Sequence, residues 1–295
     1  MSDVITSFAC AKINREIRVG GRRADGFHEI RSRMVSIDVA DRLEAGPSDT
    51  FDFVCEAPGV PSGESNLVVQ AARALAERLG RRPTGRLRLR KSIPVGAGLG
   101  GGSADAAAAL VLLVRLWNAS IDERELVDLA AVLGSDIPFF LTGGEAEISG
   151  RGDVVTPLPD EPAADLLLLV APFSISTREV YDTFDRLTPA PEPVPEGLEV
   201  KSSGKFFGRN DLASAVHAVS GQMKTYLRSA REFAAEAGIT GSGSTIVLRG
   251  ATRQATSALA GRHPESTTLK ARTLSREEYR RNLFGPGGSA WRSPK

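Results

Sequence analysis

The sequence predicts a globular protein that mixes β-strands with α-helices. The chain has 295 residues, enough for one large or two ordinary domains. Hydrophobic residues make up 41% of it and charged residues 25%, which is typical of a folded chain rather than a disordered one. Segments with alternating apolar residues predict strands, and segments with apolar residues at helical spacing predict helices between them.

In the first half of the chain, two strands joined by a turn are followed by strands and helices in mixed order. Residues 20–26 contain three glycines and predict the turn of a hairpin. The predicted strands are residues 6–19, 27–39, 51–55, 86–90 and 145–148. The predicted helices are residues 66–79, 106–117 and 121–133.

The second half begins after a proline cluster at Pro157, Pro159 and Pro162, where we place a domain boundary. We expect an N-terminal domain over residues 1–160, a C-terminal domain over residues 161–283 and a loose tail over residues 284–295. In the C-terminal domain we predict strands at residues 166–170 and 245–248 and a mostly helical segment at residues 210–237. We also predict a surface loop at residues 189–195 and a second glycine loop at residues 238–244.

The most informative stretch is a run of glycines between a predicted strand and a predicted helix. The five glycines are Gly96, Gly98, Gly100, Gly101 and Gly102. Glycine lets backbone N–H groups approach an anion closely, and the following helix directs its unpaired N–H groups and positive dipole end toward the loop. The helix is apolar on nearly all sides, so we expect it to be buried. The stretch therefore predicts a phosphate-binding loop.

Two common phosphate loops match this run poorly. A Walker A loop ends in Gly-Lys-Ser/Thr, whereas Ser103 follows Gly102 directly. The dinucleotide spacing G-x-G-x-x-G is present, but no acidic residue closes a strand about twenty positions later. A flexible linker is disfavoured, because the run leads directly into an apolar helix.

Composition and charge exclude several functional classes. The formal net charge is +1, which gives no reason to expect a nucleic-acid or membrane partner. Cys10 and Cys55 form no metal or redox spacing, so we expect reduced thiols and a cytoplasmic location. The first ten residues lack the basic flank and long apolar core of a signal peptide.

The segment Pro94 to Asp105 resembles the central ATP-phosphate motif of the galactokinase, homoserine kinase, mevalonate kinase and phosphomevalonate kinase superfamily, the GHMP kinases. Its glycines are most similar to those of the member that acts on a cytidine-diphosphate-linked methylerythritol in the non-mevalonate isoprenoid pathway. The resemblance covers roughly residues 6–282, with the motifs in the family's order.

The resemblance implies a two-domain α+β fold with an active site in the cleft between the domains. The N-terminal domain would resemble domain 2 of ribosomal protein S5, and the C-terminal domain would be ferredoxin-like. It further implies an ATP-dependent kinase with Mg²⁺ as a second cofactor, a small-molecule alcohol as acceptor and a monomeric or weakly dimeric state. The sequence identifies no Mg²⁺ ligands.

The resemblance also assigns roles to individual residues. The implied catalytic pair is Lys12, which would stabilise phosphoryl charge, and Asp136, which would act as general base on the alcohol. The implied nucleotide-binding residues are Pro94, Gly96, Gly98, Leu99, Gly100, Gly101, Gly102, Ser103, Ala104, Asn66 and Lys91. The implied substrate-binding residues are Asn14, Phe27, His28, Thr177, Tyr181, Gly241 and Ser242.

The implied substrate depends on three of these residues. In the family an aromatic residue at the position of Phe27 stacks on cytosine, the following His28 hydrogen-bonds the base edge, and Tyr181 occupies the place of the opposing aromatic residue. Arg15 and Glu16 stand where the family usually has apolar residues, so the wall beside Asn14 is where another substrate preference would arise. The alternatives are a related kinase for another small alcohol and a nucleotide-binding regulatory protein without turnover.

Overall fold

The computed structural model describes residues 4–57, 59–194, 198 and 205–285. Its strands are β1 (Ile5–Arg22), β2 (His28–Gly46), β3 (Phe51–Glu56), β4 (Gly85–Arg90), β5 (Glu145–Ser149), β6 (Val154–Pro157), β7 (Asp165–Val170), β8 (Ala234–Ile239), β9 (Thr245–Ala251) and β10 (Thr267–Arg272). Its helices are α1 (Leu67–Arg78), α2 (Gly101–Leu116), α3 (Glu123–Leu133), α4 (Ile137–Thr142), α5 (Thr177–Leu187), α6 (Ala213–Val219), α7 (Gly221–Arg231), α8 (Ala255–Arg262) and α9 (Arg276–Phe284).

The first sheet is built on the predicted hairpin, which is longer than the sequence pattern indicated. Within the described residues its strand order is β3-β4-β2-β5-β6, and β1 pairs antiparallel with β2. Gly20 and Gly21 lie inside β1 rather than in the turn, because the pairing continues to Arg22 opposite His28. This extension carries the turn end of the hairpin, where His28 lies, into the cleft between the two halves of the chain.

Helix α2 is buried as predicted and packs against β1, β2 and α1. Every residue from Ala104 to Val114 is buried, because alanine, leucine and valine occupy nearly all sides of the helix. The helix begins at Gly101, five residues before the predicted start. Gly100 makes the entering turn with a φ of 74°, so the last two glycines of the run belong to the first helical turn.

The second sheet has the strand order β10-β7-β9-β8, all antiparallel, within the described residues. The prediction of helix through Ala237 was wrong at its end. Residues 234–237 form the start of β8, because pairing with β9 overrides the helical propensity of their alanines.

The C-terminal helix α9 packs with the core of the first half. Tyr279, Leu283 and Phe284 are buried there beside α2 residues. Phe284 was therefore wrongly placed in a loose tail. Residues 286–295 of the predicted tail and Pro195 of the predicted surface loop lie outside the described residues. The boundary between residues 160 and 161 stays a prediction.

The two sheets meet along β1 and the glycine run. Ile17 bridges to Asn210, and Ile37 bridges to Thr273. The hydroxyl of Thr245 at the start of β9 donates a 2.8 Å hydrogen bond to the carbonyl oxygen of Ala97. The cleft between the halves is therefore lined by residues from both.

Candidate active site

The glycine run borders a cavity of about 330 Å³ at the N-terminus of α2. Ten of the eleven predicted nucleotide-binding residues line it: Asn66, Lys91, Pro94, Gly96, Gly98, Leu99, Gly100, Gly101, Gly102 and Ser103. Ala104, on α2, does not line it, because its side chain is fully buried in the hydrophobic core. Asn66 also caps α1, since its side chain accepts a hydrogen bond from the backbone N–H of Val68 at 2.9 Å.

Two glycines of the run are required by close approaches. Gly98 has a φ of 77°, and a Cβ there would overlap the carbonyl oxygen of Gly243 in the second glycine loop. Gly100 has a φ of 74°, and a Cβ there would lie 2.6 Å from Cζ of Phe140. Any side chain at either position would separate elements that form the cavity walls.

Lys91 lies under the run with its charge already paired. Its ammonium donates to Oδ2 of Asp41 and, at 2.7 Å, to Oδ2 of Asp105. Burial lowers the pKa of Lys91, but the charges of Asp105 and Asp41 outweigh it and raise that pKa above its usual value. Asp41 also accepts the backbone N–H groups of Ser92 and Ile93, so this cluster fixes the strand end from which the run starts.

A second cavity of about 610 Å³ adjoins the first and shares Gly98 and Gly100 with it. Both predicted catalytic residues and all seven predicted substrate residues line this cavity: Lys12, Asp136, Asn14, Phe27, His28, Thr177, Tyr181, Gly241 and Ser242. They come from β1, the turn before β2, β2, α5, the segment before α4 and the second glycine loop. The fold therefore brings together residues that lie far apart in the sequence.

Lys12 lines the larger cavity and packs against Gly100, which both cavities share. Its backbone N–H donates to the carbonyl oxygen of Leu99 at 3.0 Å, which joins β1 to the glycine run. Its ammonium donates to Oδ1 of Asn14 at 2.7 Å and lies 3.7 Å from Oδ2 of Asp136. The Asp136 carboxylate makes no helix-capping hydrogen bond at the start of α4 and keeps 31% of its side chain exposed. It is therefore available to a ligand in the cavity.

Asn14 is fixed from several sides. Its side-chain amide donates to Ser32 at 2.7 Å, and its backbone N–H donates to the Thr240 hydroxyl at 2.8 Å. A Cβ at Gly241 would lie 2.9 Å from the Asn14 amide oxygen, so the second glycine loop packs directly on it. Asn14 thereby holds the Lys12 ammonium in place.

At the far end of the cavity His28 is enclosed by aromatic rings. Its ring lies 5.0 Å from that of Tyr181 at a 31° tilt and 6.2 Å, edge-on, from that of Phe184. Burial, and then the charge of Asp136, raise the pKa of Tyr181, so the phenol stays neutral. Phe27 is 48% exposed at the cavity edge, with the guanidinium of Arg151 5.3 Å from its ring centre. An exposed aromatic face at a cavity edge can stack on a base.

Arg15 and Glu16 do not form part of this cavity. Arg15 donates to the carboxylates of Glu145 and Glu161 and stacks over Phe206, on a different side of β1. Glu16 lies close to Gly208. The altered pocket wall expected from these two residues is therefore absent from this cavity.

Sequence reasoning missed three arginines that line the cavity. Arg22 and Arg178 lie next to predicted features, the hairpin turn and Thr177, while nothing in the sequence pattern marked Arg151. Together with Lys12 they give the cavity four cationic side chains against the two carboxylates of Asp136 and Asp182, and this excess of positive charge suits an anionic ligand. The hydroxyls of Thr177 and Ser242 lie 2.9 Å apart and join the start of α5 to the second glycine loop.

Comparison with known proteins matches both the fold and this site's motifs. The family model for the N-terminal domain of GHMP kinases matches residues 66–144, which include the glycine run. A curated protein of Streptomyces avermitilis, named 4-diphosphocytidyl-2-C-methyl-D-erythritol kinase, is 37% identical over 252 residues, covering 81% of this chain and 85% of that protein. This chain belongs to that kinase family. The predicted GHMP kinase membership is confirmed.

Further comparisons agree. A protein of the same name from Pelotomaculum thermopropionicum is 47% identical over 183 residues, covering 61% of this chain and 64% of that protein. A crystal structure of 4-(cytidine 5'-diphospho)-2C-methyl-D-erythritol kinase has a TM-score of 0.77 at 28% identity, covering 91% of this chain and 99% of that one. A homoserine kinase from Cytophaga hutchinsonii has a TM-score of 0.66 at 16% identity and supports the fold alone. The predicted α+β GHMP kinase fold is confirmed.

The described residues contain neither a membrane-spanning helix nor a cluster of metal-binding side chains. Among them, no helix is both long and apolar enough to cross a membrane. Nor do those residues contain a group of three or more His, Cys, Asp or Glu side chains that could hold a metal ion.

Proposed function

We propose that this chain transfers the γ-phosphoryl group of ATP to a hydroxyl of 4-diphosphocytidyl-2-C-methyl-D-erythritol. The observation that carries the proposal is the position of Lys12 and Asp136, 3.7 Å apart in a cavity lined by aromatic and cationic side chains that shares Gly98 and Gly100 with the cavity beside the glycine run. The names of the curated relatives support the same activity.

The donor side follows from the glycine run. Backbone N–H groups at the start of α2 would hold the phosphates of ATP, helped by the positive end of the helix dipole. We propose that Mg²⁺ binds together with the nucleotide. Mg²⁺ needs only one or two protein oxygens beside phosphate and water, and Ser103, in the first turn of α2, would supply a hydroxyl to it.

The reaction itself needs positioning and charge stabilisation more than covalent help. Asp136 would accept the proton of the attacking hydroxyl, because its carboxylate is open to the cavity. Lys12 would offset the charge that develops on the transferred phosphoryl group, because its ammonium is paired closely only with the neutral amide of Asn14.

The acceptor side would bind the diphosphate and the base of the substrate. Arg178, Thr177 and Ser242 lie where a diphosphate would be bound by charge and hydroxyl groups. Phe27, His28 and Tyr181 lie at one end of the same cavity, where they would enclose a cytosine. A cytoplasmic location and a monomeric or weakly dimeric state stay predictions.

The test is ADP release from ATP with different acceptors. We expect rapid release with the cytidine-diphosphate-linked methylerythritol and little with galactose, homoserine, mevalonate or no acceptor. Release with one of the other alcohols would instead support a related kinase of different specificity. Nucleotide binding without release for any acceptor would support a regulatory protein.

A further inference from the structure

His28 has one ring nitrogen engaged by an aspartate that the sequence did not mark. Nε2 of His28 lies 2.6 Å from Oδ1 of Asp185, in the third turn of α5. The imidazole is only 5% exposed and lies between the rings of Tyr181 and Phe184. His28 lines the cavity, and among the described residues only Nε2 of its ring has a hydrogen-bond partner, so Nδ1 is the ring nitrogen left for a ligand there.

The charge state of Asp185 determines which nitrogen of His28 carries the proton. Partial burial raises the pKa of Asp185, but hydrogen bonds from His28 and Arg22 outweigh burial and hold that pKa below its usual value. Arg22 donates to the other oxygen, Oδ2, from Nε at 3.1 Å and from Nη2 at 2.8 Å. An ionised carboxylate can only accept, so His28 must donate from Nε2. In the neutral ring, Nδ1 is then an acceptor.

We propose that Asp185 is a positioning residue that gives this site its preference for cytosine. By holding the tautomer of His28 with hydrogen on Nε2, it presents Nδ1 as an acceptor for the exocyclic amine of the base. Uracil carries a carbonyl oxygen in place of that amine, so two acceptors would face each other. The inference rests on the proposed function, because it concerns the base of the same substrate.

Replacing Asp185 by asparagine should reverse this preference. Arg22 can only donate, so the new amide would direct its oxygen toward Arg22 and its NH₂ group toward His28. Nε2 would then become the acceptor, and the proton would move to Nδ1. An Asp-to-Asn change beside a catalytic histidine is known to impose the wrong tautomer in this way.

The kinetic test compares cytidine- and uridine-linked acceptors for the parent and Asp185→Asn. For the variant we expect kcat/KM for the cytidine-linked acceptor to fall about tenfold, mainly through KM, and that for the uridine-linked acceptor to rise about tenfold, as one hydrogen bond to a base edge implies. KM for ATP should stay unchanged. Asp185→Glu, which can only accept, should keep the cytidine preference. Glu179→Gln, an exposed change on the same helix, should match the parent.

A second readout does not depend on turnover. The chain has only three histidines, His28, His217 and His263, so ¹⁵N spectra of the imidazoles can be assigned with a His28→Ala variant. We expect hydrogen on Nε2 of His28 in the parent and on Nδ1 in Asp185→Asn.

The outcomes separate the two proposals. An unchanged cytidine-to-uridine ratio in Asp185→Asn, or hydrogen on Nδ1 in the parent, would overturn the role of Asp185 while leaving the kinase activity intact. A parent that phosphorylates neither acceptor would overturn the proposed function and this inference with it.

Discussion

Two buried lysines approach the glycine run from opposite sides, and they differ in how their charges are paired. Lys91 contacts two carboxylates, those of Asp41 and Asp105, and is only 8% exposed. Lys12 is 7% exposed, but its near partner is the neutral amide of Asn14, and its nearest described carboxylate, that of Asp136, is 3.7 Å away. Residue type and burial are therefore the same, and the neighbours differ.

From this difference in charge pairing we expect a structural role for Lys91 and a catalytic role for Lys12. The charge of Lys91 is neutralised by side chains, so it holds the strand end and helix start together. The charge of Lys12 would be available to a phosphoryl group under the proposed function. The comparison also changes the interpretation of Lys91, which lines the cavity beside the glycine run but has its ammonium held by protein carboxylates.

The largest expected effect is on the stability of a Lys91→Met variant. Removing the ammonium leaves Asp41 and Asp105 buried without their counter-charge, and breaking a buried ion pair in this way costs about 3–5 kcal/mol. We expect urea unfolding to show a loss of that order in the free energy of unfolding. Lys12→Met is the matched control and should unfold near the parent's midpoint. Equal losses in the two variants would remove the distinction between the lysines.

The next effect is on turnover by Lys12→Met. We expect kcat to fall about 10²- to 10³-fold, since the ammonium would stabilise charge only in the transition state. Steady-state ADP release measures it, and ATP affinity by calorimetry should change much less. Asp136→Asn should lower kcat about 10²-fold through loss of the general base. Turnover near the parent's in both variants would contradict the assigned roles.

The smallest expected effect is on the pH dependence of stability, through Asp105, which pairs with Lys91. Burial raises the pKa of Asp105 to about 7, with Lys91 opposing and Asp41 adding to the shift. The folded state then binds a proton more tightly than the unfolded chain between about pH 4 and pH 7. The stabilisation from this proton is complete below that range and is lost as the pH rises to about 7.

An Asp105→Asn variant should therefore lose less stability than the parent between pH 4.5 and pH 7, which are roughly the limits of that window. Urea midpoints at the two pH values measure the difference. Asp49→Asn, an exposed change, should keep the parent's dependence on pH. A slope for Asp105→Asn equal to the parent's would show that Asp105 is ionised throughout.

The elements of the fold that depend on neighbouring residues could be predicted from the sequence. Alternation marked β4, and continuous apolar runs marked β7 and α2, because these patterns depend on neighbouring residues. The helix predicted for residues 234–237 was wrong, because pairing with the distant strand β9 overrode the local helical propensity. The short helix α4 was missed, since six residues give little periodic signal.

For the site, only the motif resemblance pointed to Lys12 and Asp136, which both line the larger cavity; their catalytic roles stay predictions. It missed the contact of Asp185 with His28, 157 residues away, and predicted no ion pair between Lys91 and Asp41, 50 residues away. Such pairs have no spacing rule, because the fold alone decides which carboxylate meets which cation.

The strand that carries Lys12 and Asn14 has consequences for synthesis. It is made before two of its partners: the Thr240 hydroxyl, which accepts from the backbone N–H of Asn14, lies 226 residues after Asn14, and Leu283, whose carbonyl oxygen accepts from Ser7, lies 276 residues after Ser7. At a translation rate of roughly 5–20 residues per second, these two hydrogen bonds could form only many seconds after β1 is made. A chain that stopped before Thr240 would contain Lys12, Asp136 and the whole glycine run, with β1 paired to β2, but the backbone N–H of Asn14 would lack the Thr240 hydroxyl.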